Sequence, residues 1–305
     1  MELNSSALPS YRDFAEIDFN DIAISISPCG NYPMSTPDHL EQKLFGKELL
    51  VSQKYSNPKS SVAVYYDEFL PEEFSWPGKF ISDLWKYTRA TYGIDSKGED
   101  GTLLAILHGK KPEWKSTVQT HYDAAGQCRN IIEVSASKHT SEWFIKNGPI
   151  LDNITGQVAT LVLNLYRGGH QYPVYGDYEE EALKSIMMYD MYRGLGLKRE
   201  EFRFYDQAVA KSTNYPKKNT FWFRDWYYPI YKDQGNVVLN KYLRKNLEFF
   251  SKDYHKNGYI PVSLGQFVHV WSSVTGVDLK PRAELLFGWS LTDEYQFVDA
   301  KTKFH

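Results

Sequence analysis

Beyond Gly148 the apolar residues of this chain keep a helical period, and that constrains the fold more than anything else in it. Up to Ser135 they come in short β-type runs. From Gly148 onward they recur at helical spacing. Val62-Ala63-Val64-Tyr65-Tyr66, Thr102 to Leu107 and Asn130-Ile131-Ile132-Glu133-Val134-Ser135 read as strands. Between the first two, Pro77-Gly78 precedes a helical face of Phe80, Ile81, Leu84, Trp85 and Thr88 that closes near Gly93. Beyond Gly148, helices are predicted over about 149–166, 178–193, 199–211, 221–233, 236–251, 263–274 and 281–289, with Gly168-Gly169 and Gly194 as stops. The fold class that follows is α+β, a small N-terminal sheet region and then a mainly helical half. Residues 1–60 form an N-terminal extension in which Ile22 to Ile26 alternates like a strand. Residues 61–305 form one unit with no internal repeat or linker.

Composition narrows the function classes. A net charge of −3 gives no basic surface for nucleic acid. No window approaches the roughly 18 uninterrupted apolar residues of a membrane helix. Cys29 and Cys128 are too few for a disulfide scaffold or a cysteine zinc site, and we expect them unpaired. The start at Met1 carries no basic and apolar leader, so the chain is either cytosolic or a mature segment given a new initiator. The polar, Ser-rich stretch Asn4 to Ser10 favours the second and points to a secreted or surface-attached protein.

The helix over 149–166 carries two stripes. Ile150, Ile154, Val158, Leu161 and Leu165 form an apolar face. Asn153, Gln157, Thr160 and Asn164 form a polar one, either solvent-facing or in need of partners. Asn153-Ile154-Thr155 also fits a glycosylation sequon, as does Asn4-Ser5-Ser6, but its place inside a helix argues against use.

The order of elements, strand, helix, two strands, helix, loop, then a helix opening on acids, resembles that of zincin metallopeptidases. Their active helix carries His-Glu-x-x-His, two zinc ligands one turn apart with the general base beside the first. Asn153-Ile154-Thr155-Gly156-Gln157-Val158 resembles that motif with its chemistry removed: Asn153 and Gln157 at the histidine positions, Ile154 at the base position. In the gluzincin branch a glutamate on the next helix completes the ligand set, and Glu179, Glu180 and Glu181 match its region. The run Phe223 to Tyr231 is loosely similar to the helical half of basic secretory-type proteases.

Neutral amides are poor zinc ligands, and an isoleucine accepts no proton. The resemblance therefore implies a non-catalytic peptidase-like domain with no metal and no cofactor, binding peptide or glycan through Asn153, Gln157, Glu179, Glu180, Glu181 and His170. The rival readings are an active metal-dependent hydrolase with non-standard ligands, and a structural or adhesion module. The acids also fit a plain helix start. No two of the eight histidines stand four apart, and His170 is placed at the site only through a long-range pairing with the acids. Trp222, Trp226, Tyr227 and Tyr231 make either a buried helix face or a stacking platform. Oligomeric state is not readable from the sequence.

Overall fold

A computed structural model describes residues 38–44, 47–59, 61–71, 73–94, 101–109, 118–120, 129–136, 141, 143, 146, 148–167, 175–257 and 262–303. Cys29, Cys128, His170 and the segment Ile22 to Ile26 lie outside the described residues. The first elements are β1 (His39–Leu44), β2 (Lys47–Asn57) and β3 (Val62–Tyr66), then α1 (Trp76–Tyr92). They are followed by β4 (Leu103–His108), β5 (Val118–Gln119) and β6 (Asn130–Ser135). The helical half comprises α2 (Gly148–Arg167), α3 (Asp177–Gly194), α4 (Lys198–Ala210) and a π-helical segment, Trp222–Tyr227. It ends with α5 (Tyr228–Gln234), α6 (Val237–Asn257), α7 (Leu264–Thr275), α8 (Lys280–Phe287) and α9 (Leu291–Lys303). The α+β class holds.

The six strands are ordered β1-β2-β3-β4-β6-β5. β3, β4 and β6 run parallel, with Tyr65 opposite Ile106 and Ile106 opposite Glu133. β5 pairs antiparallel at one edge, and the β1–β2 hairpin extends the other. Strand alternation sends Val62, Val64, Leu103, Ala105, Leu107, Ile132 and Val134 into the main core with the helices. Ala63, Tyr65, Leu104, Ile106 and Ile131 form a second, smaller cluster with Val51. A parallel strand buried on both faces reads as a continuous apolar run, as β3 and most of β4 do.

The helices meet by close approach. The Tyr87 ring lies 2.1 Å from where a Cβ on Gly194 would sit, so the end of α3 rests on α1 only because residue 194 has no side chain. The aromatic run is core: Trp222, Trp226, Tyr227 and Tyr231 are all buried. The π-helical turn spaces residues 222, 223, 226 and 227 so that all four point inward, and Trp222 and Trp226 pack on Phe267 and Phe287.

The centre of the helical half is polar. Asp190 of α3 is buried and accepts hydrogen bonds from Tyr87 at 2.9 Å, Tyr92 at 2.9 Å and Tyr231 at 2.7 Å. One carboxylate thereby ties α1, α3 and α5. Removing it strands three phenol donors in a dry site, whereas asparagine keeps the shape and one acceptor. We expect Asp190→Ala to lower the unfolding free energy by about 3–5 kcal/mol and Asp190→Asn by about 1–2 kcal/mol. Urea unfolding at neutral pH checks this. An alanine variant within about 1 kcal/mol of wild type would mean that the phenols find other partners.

Candidate functional site

The apolar face of α2 is satisfied by the fold. Ile150, Ile154, Val158 and Leu161 are fully buried in the main core, against the sheet and the neighbouring helices. The polar face is split. The Thr160 hydroxyl donates to the Gly156 carbonyl at 3.0 Å, a bond internal to the helix. Asn153 and Gln157 are half-buried and make no side-chain hydrogen bond among the described residues. Two carboxamides one turn apart thus keep all their donors and acceptors for something else.

α3 runs antiparallel to α2. The Tyr192 hydroxyl donates to Asp152 at 2.6 Å, and one turn further along α2 a Cβ at Gly156 would lie 3.7 Å from the Met188 sulfur, one turn back along α3. Counting onward in both directions puts Glu179 level with Leu165, roughly 12 Å along the axis from the level of Gln157. Asp152 also holds Arg203, which bridges to Glu200 and fixes the start of α2 on α4.

The three acids at the start of α3 have different surroundings. Glu181 is exposed and pairs with Lys184. Glu180 is half-buried. Glu179 is fully buried: its Oε1 accepts from Tyr227 of the π-helical segment and from Tyr242 of α6 at 3.4 Å. Its Oε2 has no hydrogen-bond partner among the described residues. Burial pushes the carboxyl up to about 7, against the hydrogen bond from Tyr227, which pulls it down. The described contacts therefore hold Glu179 toward the aromatic core, and none joins it to Asn153 or Gln157.

Another charged group lies on the second face of the sheet. His108 ends β4, Asp67 follows β3, and Glu133 sits mid-strand in β6, each nearly inaccessible. His108 Nδ1 lies 3.2 Å from Asp67 Oδ2, and Nε2 lies 3.8 Å from Glu133 Oε1. Asp67 also accepts from the backbone amides of Phe69 and Gly109, at 3.0 and 3.1 Å. Burial alone would push the imidazole down, but the bonds and charges of Asp67 and Glu133 outweigh it and carry it up to about 9. A ring so raised favours its protonated form at neutral pH. That form has no lone pair to offer a metal or a proton. Sequence reasoning did not assemble this triad. Its legible signal was Glu133, a charge inside an otherwise apolar strand.

Among the described residues, no group of three or more His, Cys, Asp or Glu is placed to hold a metal ion. A surface pocket of about 200 Å³ lies between the π-helical segment and α8, lined in part by Lys217, Thr220, Phe221, Asp225 and Leu285. It is below the ~300 Å³ of ordinary small-molecule sites and holds none of the α2 amides. No protein-family model, curated protein or solved structure matches the chain.

The two raised groups set a pH dependence. Glu179 keeps its proton in the folded state while the unfolded chain loses it, so stability is greatest below about 4.5 and falls as pH rises to about 7. That window is worth about 3 kcal/mol. His108, raised from 6.5 to about 9, stabilises fully below 6.5 and loses its contribution as pH rises through 9. We expect Glu179→Gln to flatten the lower window selectively and His108→Gln the upper one. Unfolding free energies at half-unit pH steps test this. A Glu179→Gln profile parallel to wild type between pH 4.5 and 7 would contradict the assignment.

Proposed function

We propose that the chain is a non-catalytic, peptidase-like binding domain that takes a peptide or glycan strand along the amide stripe of α2, outside the cell or at its surface. The observation that carries this reading is the pair Asn153 and Gln157, half-buried yet unpaired among the described residues. A carboxamide presents one acceptor and two donors, which matches the alternating C=O and N–H groups of a peptide or the hydroxyls of a sugar. Two amides about 6 Å apart on one helix face grip such a strand at two points.

The order β3, α1, β4, β5, β6, α2, α3 supports the zincin resemblance. The chemistry at the motif does not support hydrolysis. A peptidase of that kind needs a metal to activate water and a carboxylate to take its proton. Ile154, at the base position, is fully buried in the core, so a glutamate placed there would be an unpaired interior charge. Glu179, offered by the resemblance as third ligand, is held by two phenols instead.

Two measurements test the reading. Purified protein should contain substoichiometric zinc and show no chelator-sensitive cleavage of denatured casein. Bound zinc at one per chain with such cleavage would establish the metal hydrolase instead. In a screen of immobilised peptides and glycans, hits of the wild-type chain should weaken about tenfold or more in Asn153→Ala/Gln157→Ala, since each amide hydrogen bond is worth about 1 kcal/mol and the pair acts together. Hits unaffected by the double change would place the binding surface elsewhere.

A further inference from the structure

The turn between α4 and the π-helical segment closes on itself and still presents two sets of donors outward. Thr213 and Thr220 exchange backbone hydrogen bonds across it, at 2.8 and 3.0 Å. The Thr213 hydroxyl and the Trp222 indole both donate to the Tyr215 carbonyl, at 2.8 and 2.9 Å, and the Thr220 hydroxyl donates to the Lys217 carbonyl at 2.7 Å. The exposed Lys217 ammonium reaches across to α8 and donates to the Leu285 carbonyl at 2.7 Å, which leaves it further N–H groups to give. Exposed Asn219 stands at φ +61°, a conformation glycine adopts more easily. Its carboxamide makes no hydrogen bond among the described residues. Lys217 and Asn219 both line the pocket of about 200 Å³ against α8, where Phe221, Leu286 and Phe287 supply an apolar wall.

We propose that this pocket binds a small organic carboxylate bearing one apolar group, with the carboxylate on Lys217 and Asn219 and the apolar group against Phe221, Leu286 and Phe287. The charge balance selects an anion. Asp225, the acid of the pocket, is held by Arg224 through two bonds at 2.6 and 2.8 Å, and that guanidinium lies over the Phe221 ring, 3.7 Å from its centroid. Lys217 pairs with no carboxylate among the described residues. Lys217 and Arg224 against Asp225 leave the surroundings with a net charge of 2 − 1 = +1. Size selects the rest. A cavity of about 150 Å³ takes a benzene ring. A pocket of about 200 Å³ therefore holds a ring or a branched alkyl group with its carboxylate and little more, which excludes a nucleotide or an oligosaccharide. The site is separate from the amide stripe of α2, so a ligand here neither needs nor tests that stripe.

The probe is 3-phenylpropionate, its binding to the full chain followed by saturation-transfer NMR at about 0.1–20 mM. So small a ligand should bind with a dissociation constant of about 1–5 mM. Lys217→Gln should weaken binding about fivefold, and Asn219→Gly, which suits the backbone of the turn, about threefold, each with an unchanged circular dichroism spectrum. The neutral analogue 3-phenylpropionamide should bind about fivefold more weakly than the acid and be indifferent to Lys217→Gln, because only the charge has been removed. N-acetyl-alanyl-phenylalanine carries the same carboxylate and ring at a chain end and separates the two sources of that chemistry. Binding tighter than the free acid's assigns the pocket to peptide C-termini, and weaker binding assigns it to free carboxylates. No saturable binding of the acid by about 20 mM overturns the proposal. So does an amide that binds as well as the acid, or acid binding that neither Lys217→Gln nor Asn219→Gly changes.

Discussion

The helical half depends on carboxylates buried among phenols. Asp190 alone collects Tyr87, Tyr92 and Tyr231 from two other helices. Glu179 collects Tyr227 and Tyr242, Tyr192 reaches Asp152, and Tyr189 reaches Glu201 at 3.3 Å. A tyrosine brings a large apolar ring and one donor, so it fills a helix interface and satisfies a buried acid at once. Burial still raises Asp190 above its ordinary range, because the three phenol bonds do not fully replace water. The arrangement favours one geometry: an acid in this interior is tolerable only where its tyrosines converge. Seven of the 23 tyrosines of this chain are the donors of that framework.

The sheet solves a similar problem with ions. Asp67 and Glu133 flank His108 and favour its charged form, and Asp67 is itself held by two backbone amides. Both networks lock elements that are distant in sequence, β3 to β4 to β6 on one side and α1 to α3 to α5 on the other. On α2 the side chains without a hydrogen-bond partner among the described residues include the amides of Asn153 and Gln157 and the buried hydroxyl of Thr155.

The candidate site was legible in part. The four-residue spacing of Asn153 and Gln157 fixed their common face, and Ile154 at the next position was bound to fall toward the apolar stripe, where it is buried. The acidic opening of α3 was equally visible. That Glu179 turns inward while Glu181 pairs with Lys184 was not visible, since three adjacent glutamates look alike until neighbouring helices select one. Helical periodicity reports a direction around an axis. It carries no information on how far two helices slide past each other, and that slide sets Glu179 level with Leu165 rather than Gln157.

By itself the sequence determined the elements whose residues repeat at a fixed period: β3, β4, β6, α1 to α4, α7 and α8 within a few residues of their observed bounds, whereas α6 runs on to Asn257 and the helix expected over 221–233 divides into the π-helical segment and α5. It determined the aromatic core run for the same reason. It left β5 unread because two residues carry no period. It left β2 unread because Ser52, Gln53 and Lys54 interrupt its apolar run. α9 was missed because Leu291, Tyr295 and Val298 mark a face that points outward, while only Phe297 and Ala300 mark the packed one. The tertiary structure alone decided which acid meets which tyrosine, and that Asp67, His108 and Glu133 share one sheet face. The physical reason is common to both. A hydrogen bond between residues 41 to 103 positions apart depends on where packing brings two backbones, and no local pattern encodes that distance.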